Sequence, residues 1–491
     1  MAEYKEFKIV IENRAKISVT KPNGINRTGD IQLSALKERT INIFNNWLAN
    51  DKIENREELV VLGTSLYNVL FDPAMSKEFK EEYDKVIKEQ PSPVLRVVLE
   101  FKLEAQDLAK MPWEYIYYPD NVDGAGRGFF IATDSQLILA RHVPLVKGVG
   151  DQKPLPKPLR ILIVAAKPER TPAGEALKIV VSDPIIQTIK ALKKLHPDAI
   201  EIKEMPDPND PHKTQPSKRV LSETVQKFQP HVLHFIGHGE YEKGKDTDTY
   251  TGHLLLVNHD EPKISARIND AAFADCFRNK EPRLIFLHAC EGARTDSYAA
   301  FRGVALQLAY SRVPAVVAMQ YEIKNSMATQ FANKFYESLG KGKPIDVAVQ
   351  DGRMELGMFT DEEQNFSNRA FGSPVVFLQN AAGIIIAEAQ PEADLPLTAQ
   401  SPPGPVIAGP ERCPYGEGCP GMMYQDSTFC VKCRRPVTLC PNGHIMAKQA
   451  GLCCPKCGYP EIQTGAPSAR VNEAAQPVAE SVAEIRSDRL N

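Results

Sequence analysis

Between residues 159 and 387 short apolar runs recur, separated by stretches whose apolar positions are spaced as on a helix face. The runs RILIVAA (160–166), IEIKEM (200–205), HVLHFIGH (231–238), RLIFLHAC (283–290), AVVAMQY (315–321) and PVVFLQ (374–379) predict strands. Several are continuously apolar, as strands buried on both faces must be. Between them, residues 176–195, 217–228, 270–278, 297–310, 325–339 and 345–358 predict helices. Strands alternating with helices imply an α/β fold with a mostly parallel, doubly wound sheet, its faces covered by right-handed crossovers.

Residues 1–150 carry a different pattern, that of an N-terminal α+β region. KEFKIVIEN and KISVTKP predict a pair of opening strands, and helical spacing follows over 31–50 and 57–71, with a charged helix over 77–89. LRVVLEFK and FFIATDSQLILARHV return to strand patterns on either side of the aromatic segment MPWEYIYYP. Its Trp113 is expected to be a core anchor, the usual use of a large aromatic. A Pro-rich linker, DQKPLPKP (151–158), leads into the α/β domain at 159–387. A second linker rich in Pro and Ala spans 388–411, a cysteine-rich module 412–461, and an aromatic-free tail 462–491. The tail's composition predicts disorder.

With 43% hydrophobic and 25% charged residues, the 491-residue chain has the composition of a globular protein. A formal net charge of −3 gives no global basic field, so nucleic acid is not indicated as a partner. The first residues, MAEYKEFKIV, lack a cationic stretch followed by an apolar one, and no apolar run approaches the ~20 residues that span a bilayer. The expectation is a cytoplasmic protein with no membrane partner. Of the ten cysteines, Cys276 and Cys290 lie mid-chain, and the other eight fall between Cys413 and Cys457.

In open α/β sheets reactive groups collect at the carboxyl ends of strands. Two such ends carry them here: HVLHFIGH ends in His238-Gly239, and RLIFLHAC ends in Cys290-Glu291-Gly292. A thiol nucleophile needs a base within hydrogen-bond reach, and adjacent parallel strands can supply one. His231 and His234 fall within the strand, where packing explains them, and His288 reads as a packing residue two positions before Cys290. Taken singly, each residue favours a packing role, Cys290 as a small buried hydrophobe and His238 as a satisfied core histidine; the pair together, with its flanking glycines, points to catalysis.

HFIGHGEY resembles the histidine block of the caspase clan, and LIFLHACEGAR its cysteine block, at the separation of about 50 residues that the clan uses. LAKMPWEYIYYP, GHLLLVN and VPAVVAMQYEIKNSMATQFANKFYESLGKGKPIDVAVQDGR bring the chain closest to CHAT domains, over about residues 90–380. The resemblance implies a caspase-like cysteine endopeptidase acting on protein substrates. Cys290 would be the nucleophile, His238 the base and leaving-group acid, and the N–H groups of Gly239 and Cys290 the oxyanion hole. It also implies control by, or recruitment through, a protein partner. The rival reading is a catalytically silent CHAT fold that serves as an interaction protein.

In the C-terminal module the spacing is Cys413-x5-Cys419-x10-Cys430-x2-Cys433, then Cys440-x3-His444-x9-Cys454-x2-Cys457. Two sets of four ligands on short limbs suit two tetrahedral, structural Zn²⁺ ions, and the pattern resembles a double zinc ribbon. Cys453 is an alternative to Cys454, which makes the shorter knuckle CPKC. A disulfide module or a reactive-thiol cluster is the other reading, with disulfides disfavoured where the compartment is reducing.

Overall fold

In the computed structural model the chain forms two compact units, Met1–Pro391 and Glu392–Asn491. The structure describes residues 4–24, 26–89, 93–119, 128–144, 158–195, 198–243, 250–280, 282–289, 295–311, 313–321, 323–358, 360–361, 366–367, 369–379, 411–412, 422–423, 437–439 and 445–447. The predicted first linker falls almost wholly outside these residues, as do the second linker but for Glu411 and the whole of the tail.

The first unit is a mixed α/β fold built on one large sheet. Its strands are β1 (Tyr4–Ile11), β2 (Lys16–Thr20), β3 (Asn26–Asp30), β4 (Val94–Phe101), β5 (Leu137–His142), β6 (Leu159–Ala165) and β7 (Ile200–Met205). They continue with β8 (Val232–Lys243), β9 (Tyr250–Val257), β10 (Ser265–Asn269), β11 (Leu284–Ala289), β12 (Ala315–Met319) and β13 (Pro374–Leu378). The spatial order is β7-β6-β8-β11-β12-β13-β5-β4-β1-β2-β3. β7, β6, β8, β11 and β12 run parallel to one another, and so do β13, β5, β4 and β1. The two blocks meet antiparallel at β12 and β13. The strands of residues 4–142 and those of 159–378 thus share a single sheet.

Helices α1 (Ala35–Ala49), α2 (Arg56–Leu70) and α3 (Pro73–Lys88) cover the N-terminal block. Each begins at a side-chain cap: Ser34, Asn55 and Asp72 accept from the N–H three residues on, satisfying a donor that the helix leaves open. The rest of the chain adds α4 (Asp183–Leu195), α5 (Lys218–Phe228), α6 (Asp270–Asp275), α7 (Thr295–Tyr310), α8 (Asn325–Gly340) and α9 (Ile345–Met358), the last packed against β5 and β13. Alternation along β8 places α6 and α8 on opposite faces. Phe235 meets Phe273 of α6, while His234, one residue earlier, meets Tyr336 of α8. β12 and β13 are buried at every position, as strands covered on both faces require. Among the described residues no single helix is long and apolar enough to cross a membrane.

Two features depart from the sequence reading. β9 and β10 form an antiparallel extension on the far half of β8, which an alternating α/β pattern does not contain. The helix expected from residue 176 begins at Asp183, with Pro184 in its first turn. Proline lacks the N–H that an interior turn needs and is at home only at a helix start. Residues 176–182 are thereby left free for another task.

At the junction of the blocks lies a buried charge network. Trp113 is buried and donates its indole N–H to the Leu108 carbonyl, 2.8 Å, as a core anchor. The next residue, Glu114, is fully buried. Its Oε1 accepts from Arg141 Nε at 3.0 Å and from Arg353 Nη2 at 3.3 Å. Oε2 accepts from Arg141 Nη2 and, at 2.7 Å, from Gln320 Nε2. Arg353 donates further to the carbonyls of Leu139 and Pro374. Burial works against the carboxylate, but Arg141 and Arg353 outweigh it and hold Glu114 below its ordinary pKa.

Candidate active site

β8 changes partners at its middle. From Val232 to Gly237 it pairs in parallel with β11, and from His238 onward it pairs antiparallel with β9. Gly237 lies opposite Ala289, the last residue of β11, and His238 lies opposite Leu255. The changeover needs a residue without a side chain. A Cβ at position 237 would stand 2.8 Å from the Phe235 ring and 3.3 Å from the Ala166 carbonyl.

His238 is buried at this changeover. Its Nε2 lies 2.8 Å from the Lys178 carbonyl, which can only accept, so Nε2 carries the proton and Nδ1 is left as the basic atom. Burial lowers the His238 pKa; the Lys178 carbonyl and the Glu240 carboxylate oppose this without cancelling it. The ring is therefore neutral near pH 7, the state a general base requires. The sequence offered no group to orient His238. The group is a backbone carbonyl, which has no signature in residue type, and it comes from the stretch freed by the late start of α4. Pro184 was the available signal for that late start.

Cys290 follows Ala289 in the chain and lies outside the described residues, as do Glu291 and Gly292. Gly239 is buried in the β8–β9 ladder opposite Leu254. Cys276 is buried at the end of α6, where desolvation pushes its thiol up to about 11, which makes it inert.

His234 and His288 are buried within the two strands, whereas His231, expected within the strand, stands just before β8 and is half-buried. His231 Nδ1 accepts from the Arg160 N–H at 3.2 Å. His234 Nδ1 meets the Tyr336 hydroxyl at 2.7 Å, and its ring stacks on Phe286 with centroids 4.3 Å apart. His288 lies 5.8 Å from His234 between ring centroids. Among the described residues neither His234 Nε2 nor His288 Nδ1 has a hydrogen-bond partner. Burial pushes His288 down to about 4 and His234 well below its ordinary range.

The eight residues expected to bind metal, Cys413, Cys419, Cys430, Cys433, Cys440, His444, Cys454 and Cys457, lie outside the described residues, as does Cys453. Two short hairpins of the second unit are described. Glu411–Arg412 pairs with Met422–Met423, and Val437–Leu439 pairs with Ile445–Ala447. Among the described residues no group of three or more His, Cys, Asp or Glu side chains is placed to hold a metal ion.

Sheet and site define a mixed α/β protein that presents a buried, neutral histidine where a strand changes partners at its middle, beside the strand that leads into a cysteine. The chain belongs to the CHAT domain family, whose pattern matches residues 60–373. No curated protein matches it. Among solved structures it is similar to separase in the separase–securin complex of Saccharomyces cerevisiae, at 11% identity and a TM-score of 0.42. That alignment covers 76% of this chain but 30% of the other. It is also similar to the Arg-specific cysteine proteinase gingipain R, at 12% identity and a TM-score of 0.41, covering 78% of each chain. A complex of the pro- and mature domains of RgpB from Porphyromonas gingivalis aligns at 10% identity and a TM-score of 0.36, over 72% of this chain and 78% of that one. What this chain does chemically rests on its own residues.

Proposed function

We propose that the protein is a cysteine endopeptidase acting on protein substrates through a dyad of His238 and Cys290. One observation carries this reading. A neutral imidazole, with its Nε2–H tied to the Lys178 carbonyl, sits one residue past the pairing of Gly237 with Ala289, and Ala289 leads directly into Cys290. In this mechanism His238 Nδ1 takes the thiol proton, and the thiolate attacks the scissile carbonyl. The Lys178 carbonyl then faces an imidazolium and stabilises it. The N–H groups of Gly239 and Cys290 hold the oxyanion, where losing one donor costs about 2.7–4 kcal/mol of transition-state stabilisation. His238 returns the proton to the leaving amine as the C–N bond breaks. Water, deprotonated by the same nitrogen, cleaves the thioester and restores the thiol.

The test is a proteome-wide comparison of new N-termini made by the wild-type, Cys290→Ala, His238→Ala and doubly substituted chains. Because the two residues act as one unit, each single variant is expected to fall to the residual level of the double variant. A His238→Ala chain that cleaves as fast as wild type sinks the dyad. If His234→Ala alone abolishes cleavage while the fold persists, the base is the wrong histidine of this strand.

For the second unit we propose a module with two structural Zn²⁺ ions that recruits a protein partner in the reducing cytoplasm. The hairpins support it. The first encloses the stretch from Cys413 to Cys419 between its strands, and the second encloses the stretch from Cys440 to His444. Pairing of the flanking strands keeps the chain on either side of two ligands close together. Zn²⁺ would cross-link a segment too small for its own core. Metal analysis is expected to give about two zinc ions per chain, and chelation to leave the melting of the first unit unchanged. Ordered structure that persists in a zinc-free module would exclude the arrangement.

A further inference from the structure

The segment that orients His238 carries a second feature. After Lys178, burial alternates: Ile179 is 86% exposed, Val180 is 4% exposed, Val181 is 41% exposed and Ser182 is buried. A period of two is the mark of extended backbone. Here it places two β-branched apolar side chains on the outer side, beside the catalytic base. Ile179 is the most exposed large apolar side chain among the described residues, and it directly follows the residue whose carbonyl holds His238.

The backbone of the segment is also unused. Among the described residues, no hydrogen bond reaches the N–H or C=O of Ile179, Val180 or Val181. The segment is nevertheless held at both ends. Leu177 N–H donates to the Glu169 carbonyl at 2.8 Å, and the Glu169 and Arg170 N–H groups donate to the Lys263 carbonyl in the turn between β9 and β10. At the far end the Ser182 carbonyl accepts from Ile186 N–H at 3.0 Å. Unpaired polar backbone on a fixed, extended segment is a template for strand addition.

We infer that Ile179 and Val181 form an apolar ledge on which the substrate's chain lies as an added strand, with apolar side chains at alternate positions. This rests on the protease reading and extends it to a substrate class: extended protein segments carrying an apolar residue close to the scissile bond. Backbone pairing supplies register, and the Ile179 side chain supplies selectivity. The adjoining Lys178 carbonyl fixes both relative to the base.

The experiment uses the full-length Cys290→Ala chain, immobilised and presented with a proteome-derived peptide library. Ile179→Asp, Ile179→Leu and Val181→Ser are tested in the same background. Retained peptides are expected to be enriched in apolar residues at alternate positions. Retention should fall ~10-fold or more for Ile179→Asp and persist for Ile179→Leu, the range set by gain or loss of an apolar pocket contact. Val181→Ser should weaken retention at the neighbouring subsite. Because Ile179 is exposed, Ile179→Asp should keep the parent's melting temperature. Equal retention by Ile179→Asp and its parent, or no retained peptide at all, overturns the ledge. Incubating the retained peptides with the chain that keeps Cys290 tests the protease reading separately. Peptides held through Ile179 but never cut would leave the ledge standing and remove the enzyme.

Discussion

Two buried polar regions of the first unit are built on opposite principles. At the junction of the two strand blocks, Glu114 is met by Arg141, Arg353 and Gln320, and the spare donors of Arg353 reach carbonyls. Beneath the candidate site, His234 and His288 each keep one ring nitrogen without a partner among the described residues. The first region holds charges, which are tolerated inside a protein only when paired. The second holds neutral rings, which tolerate an unpaired nitrogen at a smaller cost. The difference teaches which region locks the architecture. The junction fixes the sheet in one arrangement, while the histidine column fills space under the site and stays neutral only while the pH allows.

Breaking the junction should have the largest effect. Glu114→Ala leaves two guanidiniums buried without their carboxylate, and the expected loss is about 3–5 kcal/mol of unfolding free energy, measured in urea. A loss below about 1 kcal/mol would put the junction on a par with an ordinary surface pair and end the contrast. Acid should act next, and on the other region. Burial lowers His288 from 6.5 to about 4, so the unfolded chain takes up the proton first. Stability should therefore fall as the pH drops below about 6.5, with the loss complete below about 4. His288 alone contributes on the order of 3 kcal/mol of it by pH 4. Carboxylates add their own acid sensitivity, so the part due to His288 is the part that His288→Leu removes. The smallest effect sharpens the comparison: at pH 7, His288→Leu should change stability by no more than about 1 kcal/mol, since the ring's Nδ1 has no bond to lose. A large loss at pH 7 would mean that the ring is held as firmly as Glu114.

The sequence disclosed these regions unequally. β6, β7, β8, β11, β12 and β13 were legible as short runs rich in apolar residues, and His238 because the run HVLHFIGH stops there, although β8 itself continues to Lys243. The single sheet was not legible. It depends on Phe377 pairing with Arg141, a contact between distant positions that no local pattern encodes. Glu114 was passed over for the same reason: one carboxylate in an aromatic stretch shows nothing of partners at 141, 320 and 353. The Lys178 carbonyl was hidden differently, since every residue type carries that group.

The place of β13 bears on how the chain is made. β13 pairs with β5 on one side and β12 on the other, yet it is the last strand of the sheet to be synthesised. A ribosome that has finished β5 at His142 must still add residues 143–373 before β13 begins. At ~5–20 residues per second that takes on the order of 10–50 s. For that time the nascent N-terminal block holds an apolar strand with one open edge and an Arg141–Glu114 pair that lacks Arg353 and Gln320. Exposed strand edges invite pairing with other chains. Folding in the cell is thus a race between elongation and misassociation, and it is decided by the position of one five-residue strand.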